Sequence, residues 1–434
     1  MDERESKINS KYKDETENKI YACIDLKSFF ASVEAVRRGL DPMTANLAVA
    51  DPDRGRGAIC LAVTPAMKKL GVKNRCRIFE IPESISYITA KPRMLRYMQC
   101  SSEIYKTYLR FISPDDIHVY SIDECFFNLT PYLSMYKKTP TELSQMLMDE
   151  VKKSTGISSS AGIGTNLFLA KVALDITAKH SPNSIGYLNR AEFERRIWRH
   201  RPISDIWNIG PGIAKRLEKY RIFDLYGVAH FDEKLLYREF GKNAEYLIDH
   251  SHAYEPCTIR DIHEYIPDST SISNSQILFK NYKYEDALLV LREMTDNLSM
   301  EMADKSYSTD SISLSVGYAD SSLKTTGGTR KLGYRTLSYK KLSAEFEKLF
   351  RETTRKGELI RKLTVGANNL DSGEVLQMSM FPKDKDEESE QKIMDAILLI
   401  KHKYGKNSII RGMSLQENAT ATERNKLIGG HNSE

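Results

Sequence analysis

The sequence predicts a multidomain α+β protein on three observations. Its 434 residues exceed what one hydrophobic core usually serves, so several cores are expected. Residues 190–255 show only short helices, whereas residues 260–370 alternate strands and helices in the ferredoxin-like order β-α-β-β-α-β. Residues 19–189 mix strands and helices in a third pattern.

The composition is that of a globular protein without a membrane segment. Hydrophobic residues make up 41% of the chain, and no run approaches the roughly 18 apolar residues that a span needs. Residues 1–18 mix both charges and lack an apolar core, so we expect a disordered tail, no secretory signal and a cytoplasmic protein. The net charge of +5 does not by itself indicate nucleic-acid binding.

The first 130 residues contain two predicted strand segments that each end or turn on acids. Residues 19–25 (KIYACID) alternate, which favours a strand that delivers Asp25 to the edge of a sheet. A helix follows and should end at Gly39. Residues 116–129 (DIHVYSIDECFFNL) are predicted to form a hairpin with Asp123 and Glu124 at its tip.

The later segments divide into a crossover, a helical region and a last α/β region. Residues 159–188 have the pattern of strand, glycine turn, helix, loop and strand, which is one crossover unit. Residues 203–229 are predicted to hold two helices that flank the turn IGPG. Beyond residue 370, a polar stretch isolates a last helix near residues 391–404 and a polar end.

Three carboxylates are the first candidate site. Nucleotidyl transfer needs metal ions that neutralise a triphosphate and activate a hydroxyl, and two hard cations about 3.5 to 4 Å apart serve in two-metal enzymes. Asp25, Asp123 and Glu124, on two adjacent strands, supply suitable oxygens. Alone, they decide little, because turns favour aspartate for local hydrogen-bonding reasons.

Three ordered motifs give these acids a context. The stretches IDLKSFFASVE, SIDECFF and GIGTNLFLAKVA resemble the signature set of the Y-family DNA polymerases, in particular the UmuC-like bacterial branch. The likeness covers about residues 20–370, with a further match near residue 380. It implies a right-hand polymerase that performs error-prone translesion synthesis in DNA repair or SOS-type damage tolerance, adding dNTPs to a primer 3′ end.

The resemblance assigns each predicted domain to a part of the hand. The implied domains are a ferredoxin-like palm (residues 19–36 and 91–189), small fingers (37–90), a helical thumb with a helix-hairpin-helix (190–257), a little finger (258–370) and a C-terminal tail with a clamp-binding peptide and a short helix (371–434).

The resemblance also places two magnesium ions on the acids. Asp25 and Asp123 match the acids that bridge both metals, and the carbonyl of Leu26 matches a backbone ligand. Glu124 matches the acid that completes the shell of the catalytic metal near the primer 3′ hydroxyl.

The nucleotide itself would contact aromatic and basic side chains. Phe30, beside Phe29, falls at the steric-gate position, where a ring excludes a ribose 2′ hydroxyl. Lys68 and Lys171 match the fingers and palm residues that meet the triphosphate. Pro65 departs from the tyrosine that many members have near the phosphates. Core packing of the rings and plain surface exposure of the lysines are the alternatives.

Two basic segments are candidates for sequence-independent contact with primer–template DNA. The segment IGPGIAKR resembles a helix-hairpin-helix whose backbone amides face a phosphate, with a plain helical hairpin as the alternative. Residues 321–341 hold six basic residues and no acid, which suits a grip on duplex phosphates or a solvated edge hairpin. The candidate residues are Gly210, Gly212, Lys215, Arg216, Arg330, Lys331 and Arg335.

Residues 377–381 (QMSMF) resemble the peptide that bacterial polymerases dock into the sliding clamp, or β subunit. The motif offers a glutamine for hydrogen bonds and apolar anchors for a pocket; an incidental linker is the alternative. Its residues are Gln377, Met378, Met380 and Phe381. The family likeness also implies a UmuD-like accessory subunit or a recombinase as a further partner.

Two other classes of function compete with a polymerase. A nucleotidyl cyclase could use a ferredoxin-like palm with paired acids, but it needs neither the IGPG turn, the basic last domain nor the clamp peptide. A catalytically inactive DNA-binding relative should have lost at least one of the three acids, and all three are present. The sequence therefore favours a nucleotidyltransferase.

Overall fold

The computed structural model describes residues 19–267, 270–372 and 385–434. These residues divide into two units, with the boundary between Tyr265 and Ile266. The predicted N-terminal tail and the predicted clamp peptide lie outside the described residues. None of the helices in the described part of the chain is long and apolar enough to cross a membrane.

The first unit mixes short strands with helices, as the sequence predicted for residues 19–257. Its strands are β1 (Tyr21–Leu26), β2 (Leu47–Val49), β3 (Ala62–Val63), β4 (Ile88–Ala90), β5 (Ile117–Val119), β6 (Glu124–Asn128), β7 (Ser159–Gly164) and β8 (Ile185–Leu188). Its helices are α1 (Phe29–Arg37), α2 (Pro65–Lys69), α3 (Met94–Tyr108), α4 (Thr130–Tyr136), α5 (Pro140–Thr155), α6 (Leu167–Val172), α7 (Arg190–Arg196), α8 (Pro211–Glu218), α9 (Leu225–Ala229), α10 (Glu233–Phe240), α11 (Ala244–Ser251) and α12 (Ile259–Glu264).

A five-stranded sheet in the order β5-β6-β1-β7-β8 holds the candidate acids. Strand β1 is antiparallel to both β6 and β7, and β7 is parallel to β8 as expected for a crossover. Asp25 therefore lies near the end of a central strand and not on an edge strand. The register pairs Asp25 with Glu124, so the predicted hairpin brings the acids beside β1.

Glycines let the crossover segment lie directly on this sheet. Helix α6 continues into a π-helical turn, Ala173–Thr177, and from there into a short 3-10 turn. A Cβ atom on Gly162 would lie 2.1 Å from the carbonyl oxygen of Ala170, and one on Gly186 would lie 2.0 Å from Oγ1 of Thr177. Any larger residue would push the segment off the strands, which gives these glycines a physical role.

Two further apolar clusters lie within the first unit. Strands β3, β2 and β4 form a three-stranded sheet with its own buried cluster, in the segment predicted as fingers. Helices α7 to α11, in the segment predicted as thumb, surround a second cluster that includes Phe193, Leu217 and Leu236 and extends to Phe168 of α6. The helix predicted before the IGPG turn is only a 3-10 turn, Ile203–Asp205, and α8 begins after Gly210.

The last domain begins later than its predicted start at residue 258. Helix α12 packs on the first unit, where Ile259 is 2% exposed and clusters with Tyr21, Cys23 and Phe126. The second unit accordingly starts at Ile266.

The second unit has the predicted β-α-β-β-α-β order. Its sheet has the order β11-β10-β12-β9, with every neighbouring pair antiparallel, and two helices share one apolar cluster with it. The elements are β9 (Ser271–Tyr282), α13 (Tyr284–Asp304), β10 (Thr309–Tyr318), β11 (Thr326–Thr336), α14 (Tyr339–Thr353) and β12 (Ile360–Asn368).

The C-terminal segment, predicted as a tail with an isolated helix, is folded onto this domain. Met394 is 1% exposed and packs against Met300. Glu293, 2% exposed, accepts hydrogen bonds from the backbone N–H groups of Thr420 (2.7 Å) and Ala421 (3.2 Å). The elements are α15 (Lys385–Tyr404), α16 (Ala421–Arg424), β13 (Leu427–Ile428) and β14 (His431–Asn432).

Candidate active site

The three predicted acids meet at the ends of two neighbouring strands. Asp25 and Glu124 are direct cross-strand partners, and the N–H of Leu26 donates to the carbonyl oxygen of Asp123 at 2.9 Å. Burial, followed by the negative charges of Asp123 and Glu124, raises the pKa of Asp25 to about 7. Crowded like charges in a partly dry site of this kind are stabilised by a cation.

Each of the two hairpin acids has a hydrogen-bond partner in the protein. The Oγ of Ser121 donates to Asp123 at 2.7 Å. Oε1 of Glu124 accepts from the Sγ of Cys23 at 2.9 Å and lies 2.6 Å from Nζ of Lys171. Within the three described ranges, no group of three or more His, Cys, Asp or Glu side chains is arranged as metal ligands. The chemistry of the donor set, three carboxylates and a main-chain carbonyl, nevertheless fits a hard cation such as magnesium.

Lys171, predicted to meet the triphosphate, lies against the acids. It is 8% exposed, and its Nζ is also 3.1 Å from Oδ1 of Asp175, one turn further along. Burial acts to lower its pKa, but the charges of Asp175 and Glu124 outweigh burial and raise it. Lys171 is therefore the internal counter-ion of Glu124.

Two other lysines, Lys68 and Lys179, lie within electrostatic range of each other. Loss of water lowers the pKa of Lys68, on α2, and the positive charge of Lys179 acts in the same direction. The negative charges of Asp25 and Asp123 oppose this effect. Lys68, whose side chain is exposed, is therefore electrostatically coupled to Asp25 and Asp123. Sequence reasoning missed Lys179, because only the folded crossover brings the turn after α6 close to the fingers.

The two phenylalanines of the SFFAS stretch have different surroundings. Phe29 is 2% exposed and lies in the main apolar cluster, so the structure places it in the core. Phe30 is half-buried and stacks on Tyr97, with ring centroids 4.7 Å apart and an interplanar angle of 24°. Of the two rings, Phe30 is therefore the one that is partly exposed.

A buried carboxylate missed from the sequence supports this ring. Glu34 is fully buried and accepts hydrogen bonds from the hydroxyl of Tyr97 (3.0 Å), from two nitrogens of Arg93 (2.9 and 2.6 Å) and from Arg38. Burial acts to raise the pKa of Glu34, but these hydrogen bonds outweigh burial and hold it below its usual value.

Some of the predicted helix-hairpin-helix residues are open to solvent, and one makes contacts within the protein. Gly210 caps the N-terminus of α8, and a Cβ atom on Gly210 or Gly212 would meet no atom within 4 Å. Lys215 is exposed. Arg216 instead packs over the ring of Phe240 at 4.2 Å and donates to a backbone carbonyl at 3.1 Å.

The basic strand β11 also divides into free and engaged side chains. Lys331 is exposed on the strand. Arg330 forms ion pairs with Glu345 and Glu352 of α14, and Arg335 donates to the carbonyl oxygen of Asn369 at 3.0 Å. None of the ion pairs among the described residues involves Lys331. Of the predicted DNA contacts on β11, Lys331 is therefore the one whose charge no described carboxylate of the second unit neutralises.

Comparison with known proteins identifies the family. The model of the impB/mucB/samB family matches residues 24–175, and the model of that family's C-terminal domain matches residues 269–380. The putative UV-damage repair protein UvrX of Bacillus subtilis (strain 168) is 31% identical over 420 residues, which cover 95% of this chain and 97% of the relative. The chain belongs to the impB/mucB/samB family.

Further similarities agree with this membership of the impB/mucB/samB family. DNA polymerase IV 2 of Bacillus subtilis (strain 168) is 29% identical over 428 residues, covering 95% of this chain and 98% of the relative. A solved structure, the Y-family DNA polymerase chimera Dbh-Dpo4(243-245)-Dbh, has the same fold with a TM-score of 0.63 and 22% identity, over 81% of this chain and 99% of the chimera. The predicted UmuC-like Y-family membership and right-hand fold are confirmed. The chain is a DNA-directed, translesion DNA polymerase.

Proposed function

We propose that this chain extends a primer by in-line attack of the 3′ hydroxyl on the α-phosphate of a dNTP, with two magnesium ions held by Asp25, Asp123 and Glu124. The supporting observation is the register that pairs Asp25 with Glu124, together with the hydrogen bond from the N–H of Leu26 to the carbonyl oxygen of Asp123, because it brings the three acidic residues to adjacent positions of the sheet. Bound magnesium would neutralise the triphosphate and activate the primer hydroxyl.

The remaining nucleotide contacts follow from the neighbours of the acids. We assign the carbonyl of Leu26 as a further metal ligand, and Phe30 as the ring that excludes a ribose. Lys68 and Lys179 are assigned to the triphosphate. The two lysines interact electrostatically with each other, and Lys68 is exposed and also interacts with Asp25 and Asp123. Lys171, expected from the sequence to have the same role, is the counter-ion of Glu124 in this structure.

Primer–template DNA would be held without reading its sequence. We assign the open turn of Gly210 and Gly212, with Lys215, to a duplex phosphate, and Lys331 to another. Arg216, Arg330 and Arg335 would contribute only after leaving the partners that they have now.

The finer biological setting is proposed from sequence. The QMSMF motif would dock into the sliding clamp, with a UmuD-like subunit or a recombinase as a further partner. A cytoplasmic location and a role in SOS-type damage tolerance belong to the same proposal. These assignments depend on the family likeness and on the motif, which lies between β12 and α15.

A primer-extension assay with magnesium and dNTPs, on undamaged and lesion-bearing templates, tests the central assignment. The double variant Asp123→Ala with Glu124→Ala should lose about 10³-fold or more in rate, because metal stabilisation contributes several kcal/mol. Binding of primer–template, measured by fluorescence anisotropy, should stay nearly intact. Asp115→Ala, at an exposed acid that precedes β5 and lies toward the other end of the hairpin, is the control. Substantial residual synthesis by the double variant would sink the metal assignment.

A further inference from the structure

Lys171 has a set of contacts that the proposed chemistry does not use. Its Nζ lies 2.6 Å from Oε1 of Glu124 and 3.1 Å from Oδ1 of Asp175, and its side chain is 10% exposed. The thiol of Cys23 donates to the same Oε1 at 2.9 Å. The charge of Glu124 is therefore compensated inside the protein.

These contacts leave Lys171 poorly placed to meet a triphosphate. An ammonium group has three N–H donors, and two carboxylates already lie within ion-pair distance. The ring of Tyr120 lies 5.8 Å from its Nζ and shields it further. Lys68, by contrast, is exposed on α2. Contact with the phosphates is therefore better assigned to the exposed lysine.

The electrostatics explain why Glu124 needs a cation at all times. Burial of a carboxylate is costly unless it is paired and hydrogen-bonded. Glu124 faces Asp25 across the strands and follows Asp123, so an unpaired Glu124 would add a third negative charge to one site. Lys171 provides the compensating charge in the protein without metal. A divalent ion at Glu124 would make that compensation redundant and would repel the ammonium.

We propose that Lys171 is a positioning residue that neutralises Glu124 in the metal-free enzyme and exchanges with the metal, with Asp175 retaining its ammonium afterwards. The proposal rests on the proposed function, because it takes Glu124 as a metal ligand. Asp175 is suited to this part because it lies one helical turn beyond Lys171 and already contacts it. The exchange therefore predicts that removal of the charge of Lys171 and removal of the charge of Asp175 change the affinity for the metal in opposite directions.

The first test is the affinity of the substrate-free full-length enzyme for Mn²⁺, measured by isothermal titration calorimetry. Lys171→Met keeps the aliphatic stem and removes the competing charge, so it should bind Mn²⁺ about tenfold more tightly. Asp175→Asn leaves Lys171 more firmly on Glu124 and should bind about tenfold more weakly. Lys171→Arg keeps the charge and should stay within about threefold.

A change of background separates exchange at Glu124 from a general field effect. In a Glu124→Gln background, Lys171→Met should change Mn²⁺ affinity by less than about twofold, because the shared carboxylate is gone. An equal gain in both backgrounds would overturn the exchange. Unchanged Mn²⁺ affinity with a large rise in the KM for dNTPs would also overturn it and would return Lys171 to the triphosphate.

Thermal unfolding gives a readout that does not depend on the affinity measurement. Without metal, Lys171→Met leaves a buried charge unpaired, so its Tm should fall by about 4 °C or more, and Mg²⁺ should narrow the gap. A Tm deficit that Mg²⁺ leaves unchanged would mean a purely structural lysine. If the double variant Asp123→Ala with Glu124→Ala binds Mn²⁺ as tightly as wild type does, the proposed function itself has failed. If the double variant loses Mn²⁺ affinity but Lys171→Met leaves that affinity unchanged, only the exchange has failed.

Discussion

At the scale of single residues, two adjacent rings on α1 have different environments. Phe29 is turned into the core at 2% exposure, whereas Phe30 lies half-buried against Tyr97, whose own ring is fully buried. The fully packed ring of Tyr97 supports the gate that we propose at Phe30, because it would keep Phe30 from moving away from a larger sugar.

We predict that Phe30→Ala admits ribonucleotides, because removal of the ring removes the obstruction and not an attraction. Discrimination between dNTP and rNTP, measured as the ratio of their kcat/KM values, should fall about 100-fold. Phe29→Leu, a core substitution of similar volume next to it, is the control and should leave the ratio unchanged. Retention of full sugar discrimination by Phe30→Ala would refute the gate.

At the scale of elements, one buried carboxylate ties α1 to α3. Glu34 on α1 accepts hydrogen bonds from Arg93, at the start of α3, and from Tyr97 within it. Its folded-state pKa is depressed, so its contribution to stability is present above the usual pKa of 4.5 and is lost as the pH falls through the lower folded value.

Glu34→Gln should therefore lower the free energy of unfolding at pH 7 by about 3 kcal/mol, because it removes one partner of a buried ion pair. The difference from wild type should shrink as the pH falls below 4.5 and should be lost at the lower folded-state pKa, where the carboxylate of folded wild type also protonates. Urea unfolding monitored at several pH values measures both effects. Glu103→Gln, at an exposed acid on α3, should change stability by less than about 0.5 kcal/mol. A pH-independent loss at Glu34 would contradict the ionic explanation.

At the scale of the whole molecule, the second unit extends beyond its β-α-β-β-α-β part. Strand β12 ends at Asn368, and the chain returns to the same unit through α15, whose Met394 is buried against Met300. Ion pairing of Arg411 with Asp296 at 2.5 Å adds a further attachment. Both flanks of the proposed clamp peptide are therefore anchored to one unit.

Deletion of residues 377–381 should reduce only the synthesis that the sliding clamp stimulates, because the peptide is expected to contact the clamp and not the DNA. Processive primer extension with and without added clamp measures this. Met394→Ala is the comparison variant. Loss of this buried side chain should lower the stability of the second unit by about 2 kcal/mol or more, whether or not the clamp is present. An equal loss of synthesis without the clamp would reject the proposed role of the peptide.

The sequence by itself determined the features that depend on local spacing. The hairpin with Asp123 and Glu124, the crossover with Lys171 and the β-α-β-β-α-β order of the second unit were predicted and are present, because strand and helix periods and turn residues act over a few positions. Only the tertiary structure decided the pairing of Glu124 with Lys171, the burial of Glu34 against Arg93, the central place of β1 and the docking of the C-terminal segment. Each of these joins residues far apart in the chain, and such contacts depend on sheet order, register and side-chain direction, which local patterns do not specify.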